Sequence, residues 1–278
     1  MKYKMTVLLA CALLLSNGWA RAADKNGDVL PRRFSDAMTW NLQNRVEDIT
    51  ITKVAVPSDS ASRPKAAEKG KAPSLPDQVS QGSAARNVTE KGVLEDQVFG
   101  STGNDENALR ITGASVTLKN VEIMKEEGTS SSTESGDFYG MNAALLATGG
   151  ARVTIEDSSV HSAAPNGNGL FSYGKGTMIS AKNVTITTEG SHSGGLQTTG
   201  GALTEAENVT VSTAGNSSAA IRSDRGGGTV LVKGGTFRTE GYGSPAIYST
   251  ADISIQGADL SASRSEGAVI ERKNSIGL

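Results

Sequence analysis

The sequence predicts an all-β chain, a parallel β-helix solenoid of about six to seven coils over residues 93–278. Three observations predict it. A short motif recurs from Asn107 onward about every 25 residues. Its apolar residues alternate with period two, and one column of bends is filled by Asn, Asp or Gly. A repeat this short cannot enclose a core of its own, so successive copies must stack.

The first strand of the motif reads Val116-Thr-Leu118, Val153-Thr-Ile155, Ile179-Ser-Ala181, Thr204-Glu-Ala206, Val230-Leu-Val232 and Ile253-Ser-Ile255. These stretches are spaced by 37, 26, 25, 26 and 23 residues. The second strand follows a hinge: Val121-Glu-Ile123, Ser158-Ser-Val160, Val184-Thr-Ile186, Val209-Thr-Val211, Gly235-Thr-Phe237 and Ala258-Asp-Leu260. Alternation of this kind is a strand with every second side chain turned inward. A helix is poorly served by so much Gly, Ser and Thr.

A third strand opens each coil, at Ala108-Leu109, Ala144-Leu145, Gly169-Leu170, Gly195-Leu196, Ala220-Ile221, Ala246-Ile247 and Ala268-Val269. Three short strands in about 25 residues is the size of one β-helix rung. The hinge column is Asn120, Asp157, Asn183, Asn208, Gly234 and Gly257. These residue types tolerate a left-handed backbone, and stacked Asn side chains can hydrogen-bond from coil to coil. Burying one of the larger apolar side chains yields roughly 1.5–3 kcal/mol. Ordering the backbone costs about 1–2 kcal/mol per residue. A lone coil therefore loses, and coil-on-coil burial with its hydrogen bonds reverses the sign.

Upstream, residues 1–22 read as a secretory signal peptide. Lys2 and Lys4 precede an apolar run over 5–15, and Ala20-Arg-Ala22 supplies the cleavage site. That run is too short to span a membrane. The chain's single cysteine, Cys11, lies inside it, so the mature chain contains no disulfide. Residues 23–56 are expected to hold a short helix over 34–46 and an alternating strand over 48–56. Residues 57–92, rich in Pro, Ala, Ser, Lys and Glu, read as a flexible linker. Residues 124–138 lengthen the first interval and read as a projecting loop. No polar cap follows the seventh coil before Leu278. The end therefore reads as a truncation of a larger surface protein, or as an end that packs on a partner, including end-to-end association.

At Asn104-Asp-Glu-Asn-Ala-Leu109, Gly136-Asp-Phe-Tyr-Gly-Met-Asn-Ala143 and Asp224-Arg-Gly-Gly-Gly-Thr229 the chain resembles exported bacterial right-handed parallel β-helix proteins. That family is adhesin-like, with a pectin-lyase-like fold. The resemblance covers roughly residues 93–278. It implies a secreted protein of the periplasm, cell surface or exterior, and no particular activity.

The chemistry legible in the chain is sparse. A formal net charge of −2 without a basic block argues against nucleic acid as a partner. Polysaccharide lyases and hydrolases need carboxylates gathered on one sheet face. Glu205 and Glu207 flank an inward Ala206, and Asp224 lies near Arg222 and Arg225, but neither group recurs one rung away. His161 and His192 fall in different turns. No catalytic residue, metal ligand set or cofactor motif emerges. The sequons at Asn183 and Asn208 coincide with the hinge column, which accounts for them. If the Leu109 column points inward, its neighbours form an outward stripe of Arg110, Leu146, Phe171, Gln197, Arg222, Tyr248 and Ile270. Tyr173 and Asp224 belong to the next outward column. Arg110, Phe171, Tyr173, Gln197, Arg222, Asp224 and Tyr248 are the candidate binding residues. Aromatic faces and bidentate polar groups suit a cell-surface glycan or protein. The competing expectation is that a loop or the N-terminal segment covers this stripe. The leading functional reading is a non-enzymatic solenoid that displays a binding surface, and a polysaccharide lyase or hydrolase is the alternative.

Overall fold

The computed structural model describes residues 22–23, 29–30, 45–53, 79–271 and 274–277. The signal peptide reading, up to residue 21, and the helix expected over 34–46, up to residue 44, lie outside the described residues. So does the expected linker as far as residue 78. Arg45 and Val46, the end of that expected helix, instead begin the strand Arg45–Lys53, three residues before the strand expected over 48–56. Two units are distinguished, Met1–Thr39 and Trp40–Leu278. In the first, Ala22–Ala23 pairs antiparallel with Val29–Leu30.

The second unit holds a parallel β-solenoid. Each rung gives one strand to an eight-stranded sheet and adds to a second, fifteen-stranded sheet on two further sides. A representative rung is Leu170–Tyr173, Met178–Lys182 and Thr185–Thr188. Each of these strands pairs in parallel with its equivalent one rung before and one rung after. Leu109, Leu145, Leu170, Leu196, Ile221 and Ile247 stand in direct register and are buried. They join Val116, Val153, Ile179, Val230 and Ile253 and Ile123, Val160, Ile186, Val211 and Phe237 in one continuous core.

Backbone geometry explains the bends. Asp96, Asn120, Asp157, Asn183, Asn208, Gly234 and Gly257 all have positive φ, between 48° and 68°. Asn120 donates from Nδ2 to Asp96 Oδ1 at 2.6 Å, Asn183 to Asp157 at 2.9 Å, and Asn208 to Asn183 at 2.9 Å. A second left-handed column, Asn166, His192, Ser217 and Gly243, turns the chain at another corner. Beside it Thr188, Thr213 and Thr239 donate to the carbonyls of Ser193, Ser218 and Ser244, five residues on in each case. Those serines accept backbone N–H groups from the rung before: Gly167 and Ser193 at 3.0 Å, Ser218 at 2.9 Å. From Thr188 onward the buried corner polar groups are thus paired rung by rung, whereas the hydroxyl of Ser162, in register with Thr188 one rung earlier, is buried without a partner.

Four expectations need correction. The solenoid starts earlier than residue 93. Ser83–Val88 and Gly92–Glu95 pair with the second rung, so part of the expected linker is the first rung and one sheet reaches eight strands. At the other end, the strands expected around Ile253 and Leu260 are one continuous strand, Asp252–Ala262. The next corner, Ala262 to Ala268, is two residues shorter than Thr239 to Ile247. Ala268 therefore pairs with Ile247, and Val269 rather than Ile270 falls opposite Tyr248. Finally, the end of the longer sheet is not bare. Arg45–Lys53 lies antiparallel along Asp252–Ala262, from Ile51 opposite Ile253 to Arg45 opposite Asp259. Asn274–Gly277 pairs antiparallel with the far side of Arg45–Lys53. Parallel stacking ends where an antiparallel strand occupies the edge, a recognised way of protecting one.

Candidate functional site

The outward stripe of the eight-stranded sheet is covered by the insertion that follows Lys125. Within it Thr133–Tyr139 forms a short α-helix. Ser132 is its N-cap, accepting from the backbone N–H of Ser135 at 3.1 Å, and Glu134 adds negative charge to the first turn. Gly140 ends it in the left-handed conformation, φ 82°. A Cβ on Gly140 would lie 2.6 Å from Leu146 Cδ1 and 3.0 Å from the Phe171 ring. Only glycine lets the chain pass so closely over the sheet.

The last carbonyls of a helix have no partner within it. Here side chains of the solenoid wall supply all four. Asn168 Nδ2 donates to Gly136 O at 3.3 Å and Gln197 Nε2 to Asp137 O at 2.9 Å. Thr199 Oγ1 donates to Phe138 O at 2.7 Å and Gln81 Nε2 to Tyr139 O at 2.8 Å. Asn107 Nδ2 adds a bond to Gly140 O at 2.8 Å. The outward polar groups form a cradle for this helix end.

An ionic clasp holds the helix through Asp137, one of its buried residues. Arg222 Nη2 lies 3.3 Å from Asp137 Oδ2 and 2.8 Å from Asp224 Oδ2. Asn166 Nδ2 donates to Asp137 Oδ1 at 3.0 Å, and His192 Nδ1 is 3.2 Å from Asp137 Oδ2. Burial opposes the charge on Arg222, yet Asp137 and Asp224 outweigh it and hold the guanidinium above its ordinary pKa. Arg222 also sits over the Tyr248 ring, 5.5 Å from its centroid. Burial, then a hydrogen bond to Glu271, pushes the Tyr248 phenol well above its usual value. Arg225 stacks on Phe138 at 4.1 Å.

Of the predicted binding residues, Phe171, Tyr173, Gln197 and Arg222 meet the insertion, Asp224 and Tyr248 join them through Arg222, and Arg110 lies apart. Phe171 and Gln197 have no exposed surface, which removes them from any accessible binding face. Phe171 packs with Ala143 and Leu146. Tyr173, half-buried, meets Tyr139 edge-on at 5.6 Å; burial and then Tyr139 raise its phenol pKa. Arg110 ties down the start of the first rung, donating to Asn107 Oδ1 and to the carbonyls of Gln81, Gly82 and Ser83. Burial lowers its pKa. No group of three or more His, Cys, Asp or Glu side chains among the described residues has the arrangement to hold a metal ion. No helix among them is long and apolar enough to cross a membrane.

No known family model, curated protein or solved structure matches this chain.

A second surface remains open. On the outer face of the longer sheet, Glu95, Lys119, Glu156, Lys182, Glu207, Lys233 and Gln256 lie in direct register. Charge alternates along six successive rungs, and Lys182 Nζ is 3.3 Å from Glu207 Oε1. The adjacent outward column is Thr117, Thr154, Ser180, Glu205, Leu231 and Ser254. Together they floor a shallow trough running from Thr154 to Ser254. Sequence reasoning singled out Glu205 and Glu207 in isolation. Their alternating neighbours become visible only when all the strands are placed in register.

One buried group stands apart. Lys125, fully enclosed at the second rung, donates to Ser101 Oγ at 3.2 Å and to Gly103 O. Burial pushes its pKa down to about 8, against the pull of Glu106 and Asp105.

Proposed function

We propose that this chain is an exported, non-catalytic β-solenoid of the adhesin-like kind that presents a binding face outside a bacterial cell. The observation that carries this reading is the trough over the longer sheet, a polar face in strand register that the chain's own helix leaves uncovered. Its Ser, Thr, Glu, Lys and Gln side chains recur at the inter-strand spacing of about 4.8 Å. A row of donors and acceptors at constant spacing suits an extended polymer. The alternating charges nearly cancel, so the face offers no field to steer a polyanion or polycation. Hydroxyl groups meet both donors and acceptors, which makes an uncharged glycan the fitting ligand class.

The test is calorimetric titration of the full chain with neutral oligosaccharides of increasing length. Affinity should rise with length until the trough is filled. The double variant Lys182→Ala, Glu205→Ala should lose about tenfold, roughly 1.4 kcal/mol. Equal affinity of that variant and the parent would sink the proposal.

The enzyme reading has one observation in its favour, the approach of Asp137 and Asp224 to each other through Arg222. Both carboxylates engage the same guanidinium nitrogen, and the helix that bears Asp137 roofs the site. That is the geometry of a clasp. Release of reducing ends or unsaturated products from pectin-like polymers, with and without Ca²⁺, would revive the hydrolase or lyase alternative.

A further inference from the structure

The two ends of the solenoid differ. In the longer sheet the last edge, Asp252–Ala262, is covered by Arg45–Lys53, and in the eight-stranded sheet Ala268–Ile270 pairs, among the described residues, on one side only. Among the described residues, the first-rung strands Ser83–Val88, Gly92–Glu95 and Val98–Ser101 each pair on one side only, with the second rung. Val93 and Val98, on this rung, are 61% and 62% exposed, among the most exposed large apolar side chains described. Unpaired N–H and C=O groups beside exposed valines make an edge that recruits another strand.

We infer that this first-rung edge docks on the same edge of a second copy, giving a closed two-fold dimer. The covered edge of Asp252–Ala262 decides the symmetry. A full head-to-tail contact would need that edge open and would propagate into a fibre, whereas two open first rungs meet isologously and stop at two. The local charges agree with antiparallel pairing centred on Val93. Leu94 is turned inward and Val93 outward, so this register keeps core side chains on the core side of both copies. It also sets Lys91 of each copy opposite Glu95 of the other. Asp96, which would face Glu90, turns away at the hinge and accepts from Asn120 instead.

The experiment measures the mass of the full chain in solution by light scattering over a wide concentration range. The expected result is twice the 28.6 kDa of the chain, less any cleaved leader. Val93→Lys should weaken association at least tenfold while leaving the melting temperature unchanged, since the side chain is exposed. Leu231→Lys, an exposed apolar position on the sheet face, should remain dimeric. In a Cys11→Ser background, Val93→Cys should oxidise to a linked dimer and Leu231→Cys should not. A monomer at every concentration, an open-ended series of masses, or a Val93→Lys dimer as tight as the parent would each overturn the inference.

Discussion

Gln197 donates its side-chain amide to the carbonyl of Asp137 at 2.9 Å, across 60 residues of sequence. This bond joins the solenoid wall to the one described helix, and its neighbours follow the same logic. Asn168, Thr199 and Gln81 likewise donate where the helix leaves a carbonyl bare. A polar, aromatic stripe that looks designed for a ligand is thereby used by the chain on itself.

Removing Gln197 or Arg222 should release the helix without unfolding the solenoid. Gln197→Ala leaves Asp137 O buried without a donor, at a cost of about 1–3 kcal/mol. Arg222→Ala leaves Asp137 and Asp224 facing each other with their cation gone, and breaking such a nearly buried pair costs about 3–5 kcal/mol. Hydrogen exchange should show the loss at residues 133–140, with the amides of the Leu109 column still protected. Uniform loss across all rungs would show that the helix is integral to the fold.

The parts of this architecture legible in the sequence are those governed by neighbours. Leu145, Leu170 and Leu196 declare an inward column because alternation is local, and Asn183 declares a bend because a left-handed residue is chosen by its own φ. The cradle is different in kind. Nothing near Gln197 reveals that its partner is Asp137, since the pairing depends on where an insertion folds back. Arg45–Lys53 is an equally distant case: an alternating strand is visible over 48–56, overlapping it, but its antiparallel place along Asp252–Ala262 is not. The Glu–Lys ladder lies between these extremes, written in the repeat yet readable only after all the rungs are in register.

That ladder makes a testable statement about register. Lys182→Glu would place a carboxylate between Glu156 and Glu207, replacing the ion pair with Glu207 by repulsion from both register neighbours. These side chains are about half exposed, so the loss should be modest, about 1 kcal/mol at low salt. High salt should reduce it by screening. Adding Glu207→Lys should recover part of the loss. Urea midpoints for the two single variants and the double variant, at low and high ionic strength, give the coupling directly. A loss independent of salt would point to packing rather than charge.

Lys125 sets a pH dependence whose sign is fixed by its burial. Its pKa falls to about 8 in the folded chain, below the ordinary lysine value. Between those values the unfolded chain binds the extra proton, so stability rises with pH from about 8 upward and is flat below it. The gain is at most about 3 kcal/mol, at roughly 1.4 kcal/mol per unit. Lys125→Met should abolish that rise and leave stability at neutral pH equal or higher, because an apolar side chain of similar length replaces a buried charge. Melting temperatures of the parent and the variant from pH 6 to pH 10 give the comparison. A parent whose stability falls steadily over pH 8–10 would contradict the assignment.

The strand Arg45–Lys53 carries the last prediction, because it decides which end of the solenoid is sticky. Proline at both Ile49 and Ile51 removes two backbone donors and cannot be held in an antiparallel ladder. The edge of Asp252–Ala262 would then be bare, with Ile253, Ile255 and Leu260 of the core beneath it. A bare last rung meets a bare first rung in register, Gln256 beneath Glu95, with no like charges opposed. The variant should therefore gain an open-ended series of head-to-tail species that the parent lacks, visible as a concentration-dependent mass distribution. It should also melt lower by several degrees, as expected for a loss of a few kcal/mol. Adding Val93→Lys to the proline variant should suppress the series, because the same first-rung edge serves both kinds of contact. If the proline variant stays the size of the parent, the strand contributes nothing to closing that end.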